Sequence, residues 1–371
     1  MTAVLVTGSE GFIGKNLVQH LKQLENVRIY TFDIHDSIET LESLLGKVDF
    51  VFHLAGVNRT SDDSDFRSGN RDLTTEMLSI LATHERKIPF LLTSSIQATL
   101  DNPYGVSKRE AEDAVFGWAE NTGGQALVYR LPNVFGKWCR PNYNSVVATF
   151  CYNVANDLPI EIHEPSRQIT LVYIDDVMQE FIQALTGSPT IGSGAYCMIP
   201  KTFEITLQDL ADRIVAFSES RRTLVLPDFS DELTRYLYGT YVSYLPEVGF
   251  GYPVIMRKDN RGWLSELLKS PHSGQVFVSK TKPGITRGNH WHHTKVEKFI
   301  VIQGQAVIRF RQIHGDNVIE VPVSGDELKI VDIPTGYTHS ITNIGDTDLI
   351  TLFWADEIFD PAEPDTYYLE V

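Results

Sequence analysis

Through the first half of the chain, short continuous apolar runs alternate with stretches whose apolar positions recur every three to four residues. Residues 3–7, with Val4, Leu5 and Val6, read as a buried strand. Residues 12–25 place Leu17, Leu21 and Leu24 at helical spacing. Further strands are expected at residues 27–33, 48–55, 89–95 and 125–131, and helices at 70–86 and 104–120. Leu73, Met77, Leu78 and Leu81 share a face in the first of these helices. The alternation predicts an α/β unit, a Rossmann-type doubly wound parallel sheet with helices on both faces.

The pattern changes near residue 250. Helical periodicity gives way to short β-type runs at residues 275–279, 297–302, 306–312, 318–323, 327–333, 339–343 and 349–354, separated by Gly and Asp turn signals. Such spacing predicts an all-β sandwich or barrel. Pro246, Gly249, Gly251 and Pro253 interrupt regular structure between the two regions, so domains are expected at 1–245 and 246–371.

The 371 residues suffice for two cores. A net charge of −16 argues against nucleic acid or an anionic membrane as partner. It leaves room for a phosphorylated small molecule in a local basic pocket. Cys139, Cys151 and Cys197 form no CxxC pair, no apolar run has transmembrane length, and no basic leader precedes the first strand. The expected location is the cytoplasm.

Gly8-x2-Gly11-x2-Gly14, with Phe12 and Ile13 inside it, joins the first strand to the first helix. Glycines there permit a tight turn and close approach of backbone to a pyrophosphate, which the helix N-terminus attracts. Asp33 ends the next strand, where a carboxylate binds ribose hydroxyls. No Arg or Lys follows in residues 33–46, which leaves Arg59 as the cation for a 2′-phosphate. Tyr104 and Lys108 lie four apart on a helix and share a face. An ammonium there is expected to lower the phenol's pKa and suit it to proton transfer. Ser95, with Ser94 as the neighbouring alternative, ends the preceding strand and can hold the same substrate oxygen.

These motifs resemble the extended short-chain dehydrogenase/reductases that act on nucleotide sugars. The resemblance covers about residues 1–240 and implies Ser95, Tyr104 and Lys108 as the catalytic set. It implies Leu54, Ala55 and Gly56 of the His53-Leu54-Ala55-Gly56 run beside the cofactor. In Arg130-Leu131-Pro132-Asn133-Val134-Phe135-Gly136 it implies Asn133, together with Arg167, at the nucleotide-sugar diphosphate.

In the second region, Gly284-x5-His290-x-His292-x4-Glu297-x6-Gly304 precedes Pro334-x-Gly336-x2-His339-x3-Asn343. His290 and His292 alternate along a strand and so face one interior, where Glu297 and His339 can join them as metal ligands. The segments resemble the two cupin motifs; only Gly325, three residues too far from Pro334, departs. The stretches 259–266 and 286–290 also resemble deoxy-sugar 4-ketose epimerases, in which the histidine at the position of His290 is the base. A metal-bound nitrogen cannot take a proton, and the ligand role is preferred.

The whole chain resembles bacterial capsular-polysaccharide enzymes that fuse such a reductase to a cupin. That resemblance implies a homodimeric, zinc-containing, bifunctional enzyme. Its cupin would epimerise C3 of a UDP-2-acetamido-2,6-dideoxy-4-hexulose. Its N-terminal domain would reduce C4 with NADPH, NADH being the other possible donor, on the route to UDP-N-acetyl-L-fucosamine. The alternative is an NAD-dependent nucleotide-sugar epimerase or dehydratase whose cupin serves oligomerisation or sugar binding.

Overall fold

The computed structural model describes residues 1–371. The chain forms two compact units, Met1–Val215 with Tyr236–Pro246, and Ala216–Arg235 with Glu247–Val371. A single boundary at 245/246 accounts for only part of this division. Residues 224–226 join the second unit through backbone bonds between Leu226 N and Lys269 O (2.7 Å) and between Lys269 N and Leu224 O (2.7 Å). Pairing so distant in sequence leaves no local trace.

The strands of the first unit are β1 Thr2–Thr7, β2 Val27–Phe32, β3 Phe50–His53, β4 Pro89–Ser95, β5 Gln125–Leu131, β6 Asn133–Phe135, β7 Gln168–Tyr173, β8 Tyr196–Cys197 and β9 Phe203–Thr206. Its helices are α1 Phe12–Leu21, α2 Ile38–Leu45, α3 Asp63–Phe66, α4 Leu73–Thr83, α5 Pro103–Thr122, α6 Val146–Ala155 and α7 Ile174–Leu185; α8 Leu207–Thr223 and α9 Glu232–Val242 each contain a division between units. The main sheet is parallel, in the order β2-β1-β3-β4-β5-β8. From β1 the chain moves out to β2 and then back across to β3. The loops after β1 and β3 therefore open at the switch point where such sheets bind ligands.

Alternation along the strands builds a core on each face. Val4, Val6, Phe52 and Tyr129 pack against Leu17, Leu21 and Phe181, from α1 and α7. Leu5, Val51, Phe90 and Val128 pack on the other side against Leu41, Met77, Leu81 and Val115, from α2, α4 and α5. Each such side chain, fully buried, contributes about 1.5–3 kcal/mol. Helix α5 starts where Asn102 accepts a hydrogen bond from Gly105 N (2.7 Å), has Pro103 in its first turn, and ends at left-handed Gly123. This start places Tyr104 in the first turn and Lys108 one turn on. The helix expected over 70–86 is shorter: a π-helical turn, Arg67–Asp72, precedes α4.

The strands of the second unit are β10 Met256–Asp259, β11 Gly262–Ser270, β12 Gly274–Thr281, β13 Thr286–Trp291, β14 Glu297–Gln303, β15 Gln305–Gln312, β16 Val318–Ser324, β17 Ile330–Ile333, β18 Tyr337–Asn343, β19 Leu349–Ala355 and β20 Tyr367–Tyr368. They form two antiparallel sheets, β10-β11-β12-β19-β14-β17 and β16-β15-β18-β13-β20, as a cupin barrel requires. Phe299, Val301, Ile308, Phe310, Ile341 and Phe353 supply the shared core. The strand expected over 327–333 starts only at Ile330, because the Ser324 hydroxyl accepts from Asp326 N (3.0 Å) and closes a turn.

Candidate functional site

The loop after β1 packs too tightly for any residue larger than glycine at two positions. Gly8 has φ +65°, and a Cβ there would lie 2.7 Å from Ala55 N; at Gly14 it would lie 2.1 Å from Gly8 O. Helix α1 begins at Gly11 with no side-chain cap, so the first-turn N–H groups, at Phe12, Ile13 and Gly14, point out of its end. The shape and the orphan donors fit a dinucleotide. Leu54 and Ala55 form the facing wall, and Ala55 N donates to the Thr7 hydroxyl (3.2 Å). Asp33 braces the loop, its carboxylate accepting from Glu10 N (2.8 Å) and more weakly from the Ser9 hydroxyl (3.4 Å). Arg59 is engaged elsewhere, its guanidinium donating to Tyr143 O (2.9 Å).

At the end of β4 the two serines separate. The Ser94 hydroxyl donates to the buried Glu112 carboxylate. Ser95 accepts from Gln97 N (3.1 Å) and lies near enough to Tyr104 to oppose the rise in its pKa. The Tyr104 hydroxyl also donates to Asn58 Oδ1 (3.2 Å), and the Phe66 ring packs edge-on against the phenol. Lys108 is buried, with Nζ donating to Thr93 O (2.9 Å). The expected lowering of the Tyr104 pKa does not appear. Burial raises it, outweighing the nearby Ser95 hydroxyl, while burial pushes the Lys108 ammonium down to about 8 against the opposing charge of Glu112. The lysine is directed at a carbonyl, and desolvation dominates both groups.

Asn133 and Arg167 line one pocket of about 380 Å³, with Asn144, Phe150, His163 and Leu207. Asn133 Nδ2 donates to Thr170 O (3.0 Å), and Arg167 is exposed to solvent.

In the second unit, His290, His292, Glu297 and His339 converge, with one potential ligand atom from each lying within 4.8 Å of all the others. A bulge in β13 aims the first of them. Gly288 has φ +97° and Asn289 φ +59°, and the pairing with β18 skips from Gly288 to His290, which faces His339. A Cβ on Gly288 would lie 2.7 Å from His339 O. His292 Nδ1 donates to Asp365 O (2.6 Å), which leaves the Nε2 lone pair facing Glu297 Oε2 at 3.4 Å. His339 Nε2 lies 3.5 Å from the same oxygen. The buried Nε2 atoms of both histidines lack hydrogen-bond partners. One cation would satisfy these converging acceptors together, so the donor set fits a borderline metal such as zinc. Burial and the neighbouring His339 push His290 down to about 4.

Three residues escaped the sequence reading. Asn70, in the π-helical turn, accepts from Val57 N (3.0 Å) and donates to Val57 O (3.0 Å) and the Ser107 hydroxyl (3.0 Å), tying the loop after β3 to α5. Glu112 binds Ser94, Arg130 and Tyr196 together. Asp365 reaches back to the loop between β13 and β14. Each acts across 13 or more positions of sequence, and none lies in a spaced motif.

Fold and sites together define a nucleotide-sugar oxidoreductase of the short-chain type joined to a cupin barrel. Residues 4–195 match the NAD dependent epimerase/dehydratase family, and residues 257–367 match the polysaccharide biosynthesis C-terminal domain. The UDP-2-acetamido-2,6-beta-L-arabino-hexul-4-ose reductase of Pseudomonas aeruginosa is 44% identical over 368 residues, covering 99% of this chain and 98% of that protein. The crystal structure of the capsular polysaccharide assembling protein CapF from Staphylococcus aureus matches with a TM-score of 0.93 at 48% identity, covering 99% of this chain and 100% of that one. The UDP-glucuronic acid 4-epimerase of Bacillus cereus, 20% identical, covers 59% of this chain and 84% of its own with a TM-score of 0.52, a likeness of fold. The chain belongs to the NAD dependent epimerase/dehydratase family and, within it, to the capsule nucleotide-sugar reductases of CapF type.

Proposed function

We propose that the chain is a bifunctional enzyme acting on a UDP-2-acetamido-2,6-dideoxy-4-hexulose. The cupin, residues 246–371, inverts C3. The domain at 1–245 then reduces the C4 ketone to the L-talose sugar, on the route to UDP-N-acetyl-L-fucosamine. The observation that carries this reading is the presence in one chain of two chemically distinct sites: a Ser95–Tyr104–Lys108 face and a convergent set of three imidazoles and a carboxylate.

The order follows from the chemistry. A C3 proton is acidic only while C4 is a ketone, so inversion comes before reduction. His290, His292, Glu297 and His339 would hold zinc, which would supply Lewis-acid stabilisation of charge on a substrate oxygen. In the other unit a nicotinamide cofactor, held at the Gly8-Gly11-Gly14 loop, would supply the hydride for C4. Tyr104 gives its hydroxyl proton to the C4 oxygen, and Ser95 orients that oxygen. Lys108 offsets the negative charge left on Tyr104. Asn133 and Arg167 hold the diphosphate, Arg167 through its guanidinium fork. NADPH is the donor on resemblance; Arg59, the cation expected for its 2′-phosphate, would have to turn from Tyr143 O to meet it. Asp33 is the feature that favours NADH, and steady-state kinetics with both donors decide between them. The protein works as a cytoplasmic homodimer; no helix is long and apolar enough to cross a membrane.

Incubating the full chain with the keto sugar in deuterated water tests both halves. Deuterium should enter C3 without reduced cofactor, and NADPH should then be oxidised mole for mole with alcohol formed, read by mass and NMR. Oxidation of NADPH with no deuterium at C3 would leave a reductase and overturn the epimerase half.

A further inference from the structure

The residues after β19 return to the metal-ligand cluster and bind it from outside. Backbone and side chain of Asp365 do two separate jobs there. Its carbonyl accepts the His292 Nδ1 proton at 2.6 Å. Its carboxylate accepts from the backbone N–H groups of His293 (2.9 Å), Thr294 (2.9 Å) and Lys295 (3.0 Å), and from the Thr294 hydroxyl (3.1 Å). Three successive amides and a hydroxyl on one carboxylate fix where the Asp365 carbonyl lies, even though its φ is +35°. The buried Lys295 ammonium adds bonds to Pro364 O (2.9 Å) and the Thr366 hydroxyl (3.2 Å). Leu369 N donates to Asn289 O (3.0 Å), inside the bulge that aims His290, and the Thr338 hydroxyl donates to Leu369 O beside His339.

We propose that Asp365 is a positioning residue of the metal centre: its carbonyl selects the Nδ1–H tautomer of His292 and so presents the Nε2 lone pair to the ion, with the C-terminal strap holding it there. The inference rests on the metal reading of the cluster. A carbonyl can only accept a hydrogen bond, so the ring nitrogen facing it carries the proton and the other is free to ligate. Outer partners of this kind set ligand orientation and basicity, and their loss costs metal affinity.

The test titrates the full-length protein with zinc against a chromophoric chelator. Asp365→Ala should bind zinc about 10–100-fold more weakly than wild type. Asp365→Asn, which keeps the outline and one acceptor oxygen, should show a smaller loss and serves if the alanine variant does not fold. In a His292→Ala background, Asp365→Ala should cost no further affinity, because the ligand it orients is already gone. An equal loss in that background would show a general structural effect and overturn the proposal. So would an unchanged affinity in both Asp365 variants. Wild-type protein that binds no zinc would instead remove the metal reading on which the inference rests.

Discussion

The Thr74 hydroxyl fixes the proton of His53 on Nε2. Thr74 gives its own proton to Asn70 O at 2.6 Å, so at 2.9 Å from His53 Nε2 it can only accept. His53 Nδ1 must then accept from the Thr7 hydroxyl at 2.7 Å, while Thr7 receives Ala55 N. One neutral imidazole thus links the ends of β1 and β3 to the π-helical turn.

This arrangement predicts a pH dependence. Burial first, and then the charge of Lys108, push His53 down to about 3. The unfolded chain takes up a proton near pH 6.5 that the native protein does not bind. Stability is therefore full above that value and falls as pH drops toward 3, with this group contributing up to about 1.4 kcal/mol per pH unit. Urea melts between pH 4 and 7 should show a shallower slope in His53→Gln. Thr74→Val should cost about 1–3 kcal/mol by leaving the Nε2 proton buried without an acceptor.

Tyr104→Phe removes the proposed proton donor but keeps the ring that packs on Phe66. Reduction should fall by about 10²–10⁴-fold. Deuterium exchange at C3 should persist, since the residues assigned to it lie in the other unit. Comparable loss of both activities in a folded variant would sink the two-site reading.

Glu112 lies one helical turn beyond Lys108 and is almost fully buried, with Arg130 as its ion-pair partner at 2.5 Å. Its charge opposes the downward shift of Lys108. In Glu112→Gln the basic limb of the reductase pH profile, where Lys108 loses its proton, should move to lower pH. Stability should drop toward the lower end of about 3–5 kcal/mol, because Arg130 keeps some contact with water. An unmoved basic limb would show that Lys108 does not set it.

Gly14→Ala would place a methyl 2.1 Å from a backbone oxygen, with no flexible side chain to yield. Loss of nicotinamide-cofactor binding is expected by fluorescence titration, with a melting-temperature decrease. Full cofactor affinity in this variant would show that the loop after β1 is not the phosphate site.

What could be read from the sequence was whatever repeats locally. Strand β4 at 89–95, strand β5 at 125–131 and the convergent group His290, His292, Glu297 and His339 follow from apolar runs and short spacings. Ser94 and Ser95 could not be told apart from the sequence, because their faces depend on Glu112, 18 positions from Ser94. The π-helical turn was hidden because Arg67–Asp72 carries no apolar residue to set a spacing, and the bonds of Asn70 to Val57 and Ser107 are tertiary. The direction of the Tyr104 shift was misread for a related reason. Spacing places the lysine on the same helical face, but only the fold shows how much water both groups lose.

The short strand β20 also bears on solubility. Without β20, β13 would be the open margin of its sheet, a row of unpaired amides and carbonyls available to any other strand. Tyr367 and Tyr368 cover Trp291 and His290 along that margin, and the carbonyl of bulged Asn289 takes the next amide, at Leu369. That bond continues the β13–β20 register by one position beyond His290. Loosening of these few residues would expose a template for intermolecular pairing, so the barrel's own last segment guards it against aggregation.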